Sequence, residues 1–88
     1  MNYRQIRDEW RKFKTNDTIE ESGKRYKVRF VCKRIYTDPN GESWEWTKIV
    51  ADIIKKNGKL GKRKMVITHN PTATSNELTI TFTTKFEN

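Results

Sequence analysis

Apolar residues at Tyr3, Ile6, Trp10 and Phe13 are spaced three, four and three apart. That spacing lies along one stripe of an α-helix and predicts a helix within residues 1–14. Arg4, Arg7, Arg11 and Lys14 repeat it one position later, about 100° further round the axis. A basic stripe therefore flanks the apolar one. Arg stems there can cover the rim of a core while their heads stay in water, or the stripe can face a ligand.

Beyond Thr15-Asn16-Asp17 the period changes from helical to two. Thr18 to Glu21 reads as a short strand, Ser22-Gly23 as a tight turn, and Lys24 onward as a longer strand. Tyr26, Val28, Phe30 and Cys32 then share one face, and Arg25, Lys27, Arg29 and Lys33 the other, interrupted by Val31 and Ile35. Asp38-Pro39-Asn40-Gly41 is a strong turn signal. Ser43 to Val50 is a further strand, with Trp44 and Trp46 on one face and Glu45, Thr47 and Ile49 on the other. Ile49, Val50, Ile53 and Ile54 fit a short helix as well as a strand. Their β-branching and the following Asn57-Gly58 favour a strand that ends in a two-residue hairpin. Lys62 to Thr68 returns, and His69-Asn70-Pro71 stops it. After a polar loop at Thr72 to Asn76, Leu78, Ile80, Phe82 and Phe86 alternate with Thr79, Thr81, Thr83 and Lys85 as a last strand.

The pattern predicts an α+β fold in one domain, residues 1–88. An N-terminal amphipathic helix packs on a strongly twisted antiparallel meander of four to five strands within residues 18–87. An open sheet and a small β-barrel with the helix across one opening both satisfy it. The Thr-rich last strand, if it lies at an edge, offers a second copy of the chain a surface for strand addition.

Composition narrows the function. Only 33% of the 88 residues are hydrophobic, but three Trp, three Tyr and four Phe supply bulk for a small core. No apolar run approaches the roughly 20 residues of a membrane span. The N-terminal residues lack the apolar core of a secretory signal, and Asp8 and Glu9 argue against a transit peptide. A lone Cys32 excludes an internal disulfide and fits a reduced, cytosolic protein. With a single His69 and a single Cys32, neither at a ligand spacing, no metal and no cofactor are expected. The carboxylates are few and mostly near turns, so no enzyme is expected, and a Cys32–His69 pair is supported by nothing in the spacing.

The charge is the informative feature. Nineteen Lys and Arg against eleven Asp and Glu give a net charge of +8. Residues 24–36 hold Lys24, Arg25, Lys27, Arg29, Lys33 and Arg34 without an acid, and residues 55–64 hold Lys55, Lys56, Lys59, Lys62, Arg63 and Lys64 without one. Asp38, Glu42, Glu45 and Asp52 lie between these blocks. Two such blocks in a small fold predict one shared positive surface, which suits nucleic-acid phosphates without strong sequence preference. Gly58-Lys59-Leu60-Gly61, after Ile53-Ile54 and before basic residues, resembles over about ten residues the GxxG loop of the KH family of nucleic-acid-binding domains. The resemblance implies a loop that joins two helices and clamps a nucleic-acid backbone, although Lys62 to Ile67 here reads as a strand.

Trp44 and Trp46 add the possibility of base stacking if they share the basic face. A one-residue change of register would move them to the apolar face, and a small domain's need for aromatic core favours that place for at least one. The expected binding residues are therefore Arg25, Lys27, Arg29, Lys33, Lys55, Lys56, Lys59, Lys62, Arg63 and Lys64, with Arg7 and Arg11 from the helix and Trp44 and Trp46 from the sheet. The alternative is a protein-interaction module in which the same charges dock on an acidic protein. The Lys, Asn, Thr and Ile bias is what an AT-rich genome encodes, as in many phages, where such a module would act as an inhibitor or regulator of a host protein.

Overall fold

A computed structural model describes residues 2–72 and 74–84. The chain runs as helix α1 (Tyr3–Glu9), a 3-10 turn (Trp10–Lys12), then strands β1 (Thr18–Glu21), β2 (Lys24–Thr37), β3 (Ser43–Ile54), β4 (Leu60–Pro71) and β5 (Asn76–Thr83). The strands form one antiparallel sheet in the order β1-β2-β3-β4-β5, curled into a half-barrel. Among the described residues β1 and β5 are the two edges and do not pair with each other. Residues 85–87 of the expected last strand lie outside the described residues.

The helix starts with a reciprocal cap. The Gln5 backbone N–H donates to Asn2 Oδ1 at 2.9 Å, and the Asn2 N–H donates to Gln5 Oε1 at 2.8 Å. It is shorter than the apolar spacing predicts. Glu9 leaves helical geometry, Trp10–Lys12 tighten into a 3-10 turn, and Phe13 is extended. The Lys14 N–H then donates to Asp17 Oδ2, a local side-chain bond that competes with a further helical turn. Ile6, Trp10 and Phe13 are buried in the concavity of the sheet, whereas Tyr3 is exposed. They meet Ile19, Tyr26, Val28, Ile49, Ala51, Met65, Ile67 and Ile80 in one cluster, with Val31, Ile53, Leu78 and Phe82 at its margin.

Two irregularities shape the sheet. In β2, Val28 lies opposite Ala51 but Phe30 opposite Val50, so Arg29 is one residue too many and forms a β-bulge. The bulge reverses the alternation. Tyr26 and Val28 point into the core, but beyond the bulge Val31 is the inward residue and Phe30 and Cys32 face outward, with Lys33 following Val31 inward. The continuous face running Tyr26, Val28, Phe30, Cys32 is therefore corrected, as is the basic face that included Lys33. In β4, Leu60 pairs with Ile54 and Lys64 with Asp52, so Gly61, Lys62 and Arg63 span the single residue Ile53.

The ambiguous segment after Ile49 is strand, since β3 runs through Ile54. Its hairpin is longer than two residues. Lys55 and Lys59 close the loop by a backbone bond, and Gly58 occupies the left-handed position at φ +83°, the arrangement of a three-residue loop. β4 continues through His69 to Pro71 rather than stopping before them. His69 is buried on the inner face against the Trp10 ring, with centroids 4.7 Å apart.

Because Ile6 is fully buried between helix and sheet, Ile6→Ala should lower unfolding free energy by about 2–5 kcal/mol, read from urea midpoints at constant slope.

Candidate functional site

The two cationic segments reach the same end of the sheet. β2 begins and β3 ends there, and Lys24, Arg25, Lys55 and Lys56 line one shallow groove of about 320 Å³ with Gly23, Ile53 and Ile54. Lys59 closes the β3–β4 loop, and Lys62 is exposed at the start of β4. Among the described residues, the side chains of Lys24, Arg25, Lys55, Lys56, Lys59 and Lys62 make no ion pair or hydrogen bond. Glu20 and Glu21 lie across from Arg25 and Lys24 in β1. Lys24 is the member of this group absent from the expected binding residues.

The remaining candidates have other work. Arg29 Nη1 donates to Asp52 Oδ2 at 2.9 Å, and Lys64 Nζ donates to Asp52 Oδ1 at 2.6 Å. Asp52 is 5% exposed, so its charge requires both partners, and neither cation is free for a ligand. Lys27 lies directly across from Asp52 on the same outer face. Arg63 points inward. Its Nε donates to the Tyr26 hydroxyl at 3.1 Å, and its guanidinium lies 5.3 Å from the centre of the Phe82 ring. It seals the core instead of facing a partner.

On the helix, Arg7 Nη1 donates to the Leu78 carbonyl at 3.1 Å, covering part of the β5 edge. Arg11 lies over Trp10 at 4.6 Å from the ring centre. These contacts hold both arginines at the rim of the core, one of the two roles the helix stripe left open. Lys33 faces the concavity, 3.9 Å from Glu45. It borders a cleft of about 370 Å³ between the 3-10 turn and the β2–β3 arm, floored by Trp10, Phe13, Val31 and Ile49 and reached also by Arg11 and Trp44.

Trp44 and Trp46 fall on the outer side of β3, in phase with Val50 and Asp52, and neither joins the core cluster. Trp46 pairs across from Arg34, and Trp44 across from Tyr36. The expectation that core claims one of them is therefore corrected. Trp10 and the other buried residues fill the concavity without them. Phe30, Arg34 and Tyr36 join this outer surface and were not among the expected residues. The adjacent apolar pair Phe30-Val31 was the signal of a phase change.

The Gly58–Gly61 segment links two strands, not two helices, and each glycine has a local reason. Gly58 takes a positive φ, and a Cβ on Gly61 would stand 2.7 Å from Ile53 Cγ2. Cys32 faces outward across from Lys48 while His69 is buried on the inner face, so the two form no dyad. Among the described residues no three His, Cys, Asp or Glu side chains converge as metal ligands, and no helix is long and apolar enough to cross a membrane. No protein-family model matches the chain, and no curated protein or solved structure matches it.

If Asp52 holds the two irregularities together, Asp52→Asn should cost about 2 kcal/mol, the scale of hydrogen bonds to charged groups. Lys62→Ala should stay within about 0.5 kcal/mol. Paired thermal melts check both, and equal effects would remove the distinction.

Proposed function

We propose that this protein binds nucleic acid, holding phosphates at the basic end of the sheet through Lys24, Arg25, Lys55, Lys56, Lys59 and Lys62. The observation that supports this reading is that two segments far apart in sequence bring Lys24, Arg25, Lys55 and Lys56 to one groove with their side chains uncommitted. Lysine-rich contacts position a phosphate backbone but read no bases, so sequence preference is weak. The net charge of +8 speeds encounter with any polyanion.

A second reading is favoured by a different feature. β1 pairs with β2 only over Lys24–Lys27, so among the described residues β2 from Phe30 to Thr37 has a neighbouring strand on one side only. Ile35 and Tyr36 on this edge are 70% and 54% exposed. An acidic protein segment adding as a further strand would use that edge. Capture of a protein partner that survives nuclease treatment would favour this reading over the first.

The first reading predicts binding that weakens steeply with salt. With six phosphate contacts, log K against log[salt] should fall with a slope of about −4 on single strands and about −5 on duplex DNA. Replacing Lys24, Arg25, Lys55 and Lys56 together by Ala should make the single-strand slope shallower by about 3. Anisotropy titrations between low and physiological salt measure it. Absence of binding at low salt, or a slope indifferent to the four replacements, would reject the reading.

A further inference from the structure

The aromatic residues divide into two sets. The inner rings are engaged: Trp10 lies against His69 and under Arg11, Tyr26 against Phe82 at 5.9 Å between centroids, and Arg63 over Phe82. The outer rings of Phe30, Tyr36, Trp44 and Trp46 take no part in these stacked ring or arginine contacts among the described residues. They lie outside the cluster that closes around the helix stripe, on the side of the sheet where Val50 and Val66 are also buried. Arg34 stands directly across from Trp46 on the same outer side. Phe30 lies across from Val50, and Val50 across from Val66, giving an apolar centre between the aromatic arm and the row holding Lys27, Asp52 and Lys64.

We infer that the nucleic acid taken by this protein is single stranded, with its backbone at the basic end and its bases against Trp46, Phe30 and Tyr36 on the outer face of the β2–β3 arm. This rests on the nucleic-acid reading above and specifies its substrate class. From Ile54, which lines the basic groove, to Trp46 the protein strand rises about 26 Å at about 3.3 Å per residue, a span that several nucleotides cover. A duplex buries its base faces in its own stack and can offer only phosphates. A single strand offers both phosphates and faces, and each base–ring stack adds to the phosphate contacts without requiring a particular base. Arg34, beside Trp46, supplies a cation where the backbone would pass. Trp44, which also borders the cleft on the other side of the arm, marks the end of the track.

The test compares a labelled oligothymidine of about 12 nucleotides, inside the range of about 4–16 for one small binding domain, with a duplex of equal length and with polyglutamate. The proteins are the full chain, Trp46→Leu, which keeps apolar bulk but removes the ring, and Tyr36→Ala on the exposed arm. The wild type should prefer oligothymidine. Trp46→Leu should weaken it roughly 5- to 150-fold, with a smaller loss for Tyr36→Ala, while duplex binding changes less than about twofold. If oligothymidine and duplex both bind with the expected salt slope but both variants are silent, the single-strand assignment falls and the basic-end reading stands. If neither binds, both fall. Polyglutamate displacing oligothymidine at equal charge would overturn the assignment in favour of an acidic protein partner, because a carboxylate polymer has no bases to stack.

Discussion

A single carboxylate sits where the regular sheet fails twice. Asp52 lies on β3 between the bulge in β2 and the three-residue irregularity in β4. It takes Arg29, the extra residue of the first, and Lys64, the first regularly paired residue after the second. A bulge leaves a strand locally unpaired and more strongly twisted. Left alone, such a site is prone to slip, since pairing registers that differ by one residue exchange the two faces of a strand. A nearly buried anion with two cationic partners punishes slippage, because any other register strands a charge away from water. The curl of the sheet and the placing of its two faces depend on that register.

The curl makes a concavity that one short helix can fill. Ile6, Trp10 and Phe13 occupy it, and the tightening of the helix at Trp10–Lys12 turns Phe13 down into the same space. The bulge decides what stays outside. Before it, the outer side of β2 carries Arg25 and Lys27; after it, Phe30, Cys32, Arg34 and Tyr36. The outer surface thus passes from cationic to aromatic along one strand, which alternates regularly on either side of the bulge but not through it.

The helix, the meander and the turn positions were legible because each rests on local periodicity or on a turn residue with a steric reason. The gathering of the basic segments was legible as soon as the strands were antiparallel neighbours, since a hairpin returns the chain to the level it left. What was hidden depended on side-chain pairing across strands. Nothing in the composition of the block at residues 24–36 distinguishes Lys24, free at the sheet end, from Arg29, tied to Asp52. Arg63 and Lys62 are adjacent and chemically alike, yet one bonds the Tyr26 hydroxyl and the other faces solvent. The spacing of the two glycines at 58 and 61 resembled a phosphate clamp, whereas their geometry answers to a loop and to Ile53.

The aromatic content carries the same lesson about cause. A chain with 33% hydrophobic residues needs bulky side chains inside, and that argument accounts for Trp10, Phe13, Tyr26 and Phe82. It does not extend to Trp46, Phe30 and Tyr36, which face away from the space the helix fills. Cross-strand pairing on a two-stranded arm gives such rings some structural value, but β-branched residues would serve there with less apolar area facing water. An outer face that holds large rings beside Arg34, continuous with an end rich in uncommitted lysines, is better matched to a partner that brings both negative charge and flat apolar surfaces. Charge alone would attract any polyanion. On the reading proposed above the rings narrow the choice, because a nucleic-acid single strand brings flat bases to the arm as well as charge to the lysines.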